Sequence, residues 1–145
     1  MQTDGSLSNQ DLAEKILLSP SACLRRTKLL EDERIIKGYK AIINAERLGI
    51  EFEALVHVSL KQDKEDWHEN FVEKVNGWSE VTTVYSVTGS SNYILYVQCP
   101  NLKHYKNFIV EKLNKTDGVI EIHSEIVLEK IKDQETYLDF LPLKK

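Results

Sequence analysis

Apolar positions recur along this chain with two different periods, and the change comes near residue 50. In the first part the spacing is helical. Ser8-Asn-Gln-Asp11 has the form of a capping box with an acid at its third position, and it starts a short helix carrying Leu12, Ala13 and Ile16. Ser19-Pro20 then supplies a helix cap and a proline in the first helical position, where a missing N–H costs nothing. A second helix is predicted from there to about Asp32. Its inward stripe is Cys23, Thr27 and Leu30, with Arg25 and Lys28 off that stripe. Two short helices joined by a tight turn, the second basic, make a helix-turn-helix pattern. Arg34 to Ile43 reads as a β-ribbon broken at Gly38, in the place of a wing.

After a short linker at 44–50 the pattern changes to alternation. Phe52, Ala54, Val56, Val58 and Leu60 predict a strand with one buried face. Trp67, Phe71, Val72 and Val75 return to helical spacing, ended by Asn76-Gly77. Val81–Val87 and Tyr93–Cys99 form a hairpin around Thr88-Gly-Ser-Ser-Asn92. Leu102, Tyr105, Phe108, Ile109 and Leu113 mark another helix, stopped near Asp117-Gly118, and Ile120, Ile122, Ile126 and Leu128 alternate through a last strand. The order β-α-β-β-α-β is ferredoxin-like, so the fold class is α+β: a helix-turn-helix head at 1–43, a linker at 44–50 and a ferredoxin-like domain at 51–145. The sheet's second face would show Leu55, His57, Val84, Ile94, Tyr96 and Val127. That face is too apolar for water and predicts sheet-to-sheet dimerisation.

With 145 residues, 41% hydrophobic and 29% charged, the chain sits in the ordinary globular range and wholesale disorder is not expected. No apolar run approaches the ~18–20 residues that span a bilayer, and the start has no cationic stretch followed by an apolar one. A soluble cytoplasmic protein is expected, with no membrane partner. Cys23 and Cys99 lie far apart and read as two incidental thiols in preference to a disulfide. A net charge of −4 argues against nucleic acid until it is divided along the chain. Residues 1–47 hold 8 Lys+Arg against 7 Asp+Glu, leaving 11 against 16 for the remainder. A locally basic segment on an acidic body suits a small DNA-reading module, although ordinary surface variation gives the same arithmetic.

In combination, the LSxxxxxRR, IxGY, VTGxxxY and GVxxxxS elements resemble the Lrp/AsnC family, the leucine-responsive and asparagine regulators. The resemblance covers nearly the whole chain. It implies a transcription regulator that binds double-stranded DNA, assembles as a homodimer or a higher oligomer such as an octamer, and responds to a small-molecule effector, often an amino acid. Three departures stand out. The chain begins where the family's first helix ends, so the expected head is a winged helix-turn-helix lacking its first helix: either the start is truncated or misassigned, or the head has lost a third of its helical core. Arg34 stands where the family has glycine, at a cost if the position needs positive φ. Asn92 replaces the family's acid in the VTGxxDY turn and so lacks a charge for a ligand's ammonium.

On this reading Ser21, Arg25 and Lys28 are candidate groove contacts, and Ser8, Ser19 and Lys37 candidate phosphate contacts. The competing role for Arg25 and Arg26 is a solvated or internally paired face, with Glu31 or Asp32 as partner to Arg26. Gly89, Ser90, Ser91 and Asn92 offer backbone N–H groups and short polar side chains to a carboxylate, but turns select the same residues for their own sake. Ser124 interrupts an inward apolar row, where a hydroxyl needs a partner: its own strand neighbours or a ligand. The four histidines have no metal spacing and no nucleotide or nucleophile motif occurs, so no metal, cofactor or catalytic residue is expected. Two other functions compete with the regulator: a stand-alone amino-acid-binding or oligomerisation module with impaired DNA binding, and a small enzyme on the ferredoxin-like sheet.

Overall fold

Ser8 caps the first helix, α1 (Asn9–Lys15): its hydroxyl accepts from the Asp11 N–H at 3.1 Å and donates to the Asp11 carboxylate at 2.5 Å. Ser19 caps α2 (Pro20–Asp32) by accepting from the Ala22 N–H at 3.3 Å, with Pro20 in the first turn. Asn9 ties the two starts together by donating to the Pro20 carbonyl at 2.9 Å. In this computed structural model, which describes residues 4–63 and 65–132, these helices belong to one compact unit that runs up to Ile43 and also takes in Lys132, and residues 44–131 form a second. The described part of the first unit buries only Ala13 and Cys23 deeply; Thr27 and Leu30 are half-buried on the same stripe. Residues 34–43 contain no strand. The expected wing ribbon is absent there because Ile35, Ile42 and Ile43 are exposed, and an isolated two-stranded ribbon with no face to bury is marginal in water.

Residues 44–50 make one 3-10 turn, Glu46–Leu48, closed by Gly49 at φ 78°. Strands β1 (Phe52–Leu60), β2 (Val81–Ser86), β3 (Tyr93–Cys99) and β4 (Val119–Ile126) form an antiparallel sheet in the order β2-β3-β1-β4. Helices α3 (Trp67–Asn76) and α4 (Leu102–Phe108) cover one face, and α4 runs on through a π-helical turn, Ile109–Leu113. Ala54, Val56, Val58 and Leu95 from the sheet pack with Phe71, Phe108 and Leu113 from the helices. This is the ferredoxin-like arrangement.

Two bulges displace residues from their expected faces. The β2–β3 register shifts between Val81 and Thr83, so Val84 pairs with Leu95 and packs on the core, and Tyr85 takes its place on the second face opposite Ile94. Near the start of β4 the register shifts at Ser59/Leu60, and Val119, not Ile120, pairs with Leu60; Ile120 is exposed. The strand ends at Ile126, leaving Leu128 outside it and exposed. The second face is also less apolar than expected. Leu55, Ile94 and Tyr96 share it with Glu53, His57, Gln98, His123 and Glu125, because the alternate positions of β1 and β4 are mostly polar. Both cysteines are free and buried. Among the described residues no helix is long and apolar enough to cross a membrane.

Candidate functional site

Helix α2 is exposed at Ser21, Arg25, Arg26 and Lys28. Its first turn contains no acid, so the positive end of the helix dipole is not offset by a carboxylate. No ion pair among the described residues involves Arg25, Arg26 or Lys28. The expected Arg26 pair does not form. Spacings of five and six residues put Glu31 and Asp32 off its helical face, and Glu31 accepts from the Tyr39 hydroxyl at 2.9 Å instead. That hydrogen bond also pushes the Tyr39 phenol above its ordinary value. Ser8 and Ser19 spend their hydroxyls on caps, and the Ser19 and Ser21 hydroxyls lie 3.2 Å apart. Lys37 is exposed beyond the helix. The surface therefore offers cationic side chains beside a helix N-terminus, an arrangement suited to phosphates and base edges.

In the sheet unit, the 88–92 turn is fastened to β1. The Ser59 hydroxyl donates to the Ser90 carbonyl at 3.2 Å, and the Ser91 hydroxyl lies 3.4 Å from His57 Nδ1. The Asn92 side-chain oxygen accepts from the Leu60 N–H at 2.6 Å, and its own N–H donates to the Val58 carbonyl at 2.9 Å. Gly89 adopts φ 123°, a backbone that favours glycine. Ser124 faces the helices, opposite Val56 in the register, and accepts from the Tyr105 hydroxyl at 2.5 Å. It is exposed, so the expectation of a buried hydroxyl serving its own strand is corrected: the partner comes from α4. The structure gives it no bond to the turn. Burial pushes the Tyr105 phenol up, against the hydrogen bond to Ser124.

Three side-chain groups had no signal in periodicity, because their members come from separate segments. Lys112 holds both oxygens of the buried Glu80 carboxylate at 2.8 Å, and His104 lies 3.2 Å away. Burial alone would push the Glu80 carboxyl up; the bonds from Lys112, its own backbone and His104 together hold it below its ordinary range. On the second face, Glu53 accepts from Tyr96 and from Gln98. At the end of the sheet, a hollow of about 450 Å³ is lined by Leu60, Trp67, Phe71, Lys74, Gly118 and Ile120, among others. Among the described residues no group of His, Cys, Asp and Glu is placed to hold a metal ion.

The model for the Lrp/AsnC ligand binding domain matches residues 53–137, and that for a winged helix-turn-helix DNA-binding domain matches residues 1–37. The chain is 37% identical to the transcriptional regulator AzlB of Bacillus subtilis over 128 residues, covering 88% of this chain and 82% of that one. It is 32% identical to the leucine-responsive regulatory protein of Rhizobium meliloti, covering 92% and 85%. A transcriptional regulator from Neisseria meningitidis, solved as its L-Met complex, superimposes with a TM-score of 0.89 at 34% identity over 99% of this chain and 90% of its own. An AsnC family regulator from Agrobacterium tumefaciens gives a TM-score of 0.89 at 27% identity, covering 97% and 92%. With a helix-turn-helix followed by the matching ligand-binding fold, the chain belongs to the Lrp/AsnC family of DNA-binding transcription regulators.

Proposed function

We propose that this regulator grips double-stranded DNA in a sequence-specific way through α2 and answers to an amino acid or related small molecule held near Gly89–Asn92. The head would comprise residues 1–43, joined by 44–50 to a sensing and assembly domain in the remainder, working in the cytoplasm as a homodimer or larger assembly and without catalysis. The observation that carries this reading is the exposed face of α2, where Arg25 and Lys28 have no ion pair among the described residues and no acid occupies the first turn. Ser21 on the same helix and the exposed Lys37 beyond it are the further candidates, and Ser8 and Ser19 act through the helix ends they cap. Phosphate neutralisation supplies most of the affinity and base contacts set the sequence.

Effector control requires unequal affinity for two assemblies, since equal binding shifts nothing. The L-Met complex of the Neisseria meningitidis relative supports an amino acid as the class of effector. The test is an anisotropy titration of a duplex selected by the protein from a randomised pool. Arg25→Ala with Lys28→Ala weakens binding by a decade or more, at ~1–3 kcal/mol per good contact, while folding survives because both lie off the Cys23 stripe. Unchanged affinity would remove α2 from the interface.

A further inference from the structure

Among the described residues, two other than glycine hold left-handed backbone, and they bracket α2: Leu17 at φ 55° before it and Arg34 at φ 56° after it. The turn at Arg34 is fixed by hydrogen bonds from the Arg34 N–H to the Glu31 carbonyl at 2.9 Å and from the Ile36 N–H to the Leu30 carbonyl at 3.0 Å. Those bonds impose a conformation in which a Cβ is disfavoured and glycine is at ease. Arg34 is exposed, and although Glu31, Asp32 and Glu33 precede it directly, it has no ion pair among the described residues. Glu31 is engaged by the Tyr39 hydroxyl. The two hydrogen bonds hold the turn, as the backbone around Leu17 holds the other, but unlike Leu17 the residue at 34 carries a charge that no ion pair among the described residues uses. Strained positions of this kind cluster at functional sites.

We infer that Arg34 is a DNA phosphate contact, set at the exit of α2 beside the Lys37–Lys40 stretch. The inference rests on the proposed DNA interface and adds a residue to it. A guanidinium there binds the backbone in any sequence, so it contributes affinity and salt dependence without choosing bases. Strain and grip then trade against each other at one residue: the change that relaxes the turn also loosens the complex.

The experiment compares wild type, Arg34→Lys, Arg34→Gln, Arg34→Gly and the control Leu17→Gly by thermal melting and by anisotropy on the selected duplex across a salt series. Arg34→Gly raises the melting temperature by a few degrees, yet weakens binding roughly tenfold and lowers the slope of log affinity against log salt by about one per head engaged. Arg34→Gln keeps the strained turn and shows the same lower slope, whereas Arg34→Lys keeps the wild-type slope. Leu17→Gly relaxes the other strained turn and leaves the slope unchanged. If Arg34→Gln and Arg34→Gly bind with the wild-type slope, or lose affinity with no change in slope, the phosphate contact is refuted. A wild type with no salt-dependent binding refutes the DNA interface as a whole and the Arg34 contact with it, a result separable from loss at this residue alone.

Discussion

The side-chain oxygen of Asn92 accepts from the N–H of Leu60, a residue only 5% exposed, and so stands in for a missing ladder partner at the end of β1. This changes what the position does. The amide holds the 88–92 turn against the sheet, and an aspartate could keep the same acceptor. Asn92→Leu therefore leaves a buried donor unsatisfied and destabilises the sheet unit by ~1–3 kcal/mol, while Asn92→Asp stays within about 1 kcal/mol of wild type. Urea unfolding followed by tryptophan fluorescence checks this, since both tryptophans, Trp67 and Trp78, pack against that unit's core. Equal stability of wild type and Asn92→Leu would contradict the role. The turn itself was legible in the sequence, because glycine, serine and asparagine select turns. Its anchor was not, since Leu60 lies 32 positions away and contributes a backbone N–H that no side-chain pattern marks. Arg34 shows the converse: a positive φ was predictable there once a glycine was expected, and it occurs.

Among the elements, capping boxes and alternation located nearly every helix and strand, and the failures have local causes. A bulge inserts one residue, and a single-residue slip moves a side chain to the opposite face; Val84 and Ile120 were misplaced for that reason. The wing ribbon needed a packing surface that residues 34–43 lack in the described structure. The π-helical turn at Ile109–Leu113 had no sequence mark either, yet it carries Lys112, which holds Glu80 at the entry to β2. Because the Glu80 carboxyl sits below its ordinary value of 4.5, its contribution to stability is complete above that value and is lost as pH falls through the lowered one. Glu80→Gln thus costs ~1–2 kcal/mol at neutral pH, moderated because Lys112 is partly exposed and can return to water. Chemical unfolding at a series of pH values should show the gap between the two proteins closing as the medium is acidified below 4.5. A gap that stays constant into acid would mean the carboxylate's charge plays no part.

At the scale of the whole molecule, charge is divided unevenly: the segment up to residue 47 carries a slight cationic excess, and the acidic surplus lies beyond it. That division was legible in the sequence and agrees with a head that meets DNA and a body that does not. The second face of the sheet was less legible. Alternation marked a second sheet face, but the polar residues Glu53, His57, His123 and Glu125 mix with Leu55, Ile94 and Tyr96 on it, so its character depends on pairing register as much as on composition. Sequence preference for DNA is the property on which the proposed role of the head rests. The most direct measurement is the ratio of affinities for the selected duplex and for a scrambled duplex of the same composition, taken at physiological salt. Sequence-specific recognition through α2 predicts a preference of about 10³ or more. Equal affinities for the two duplexes would contradict it.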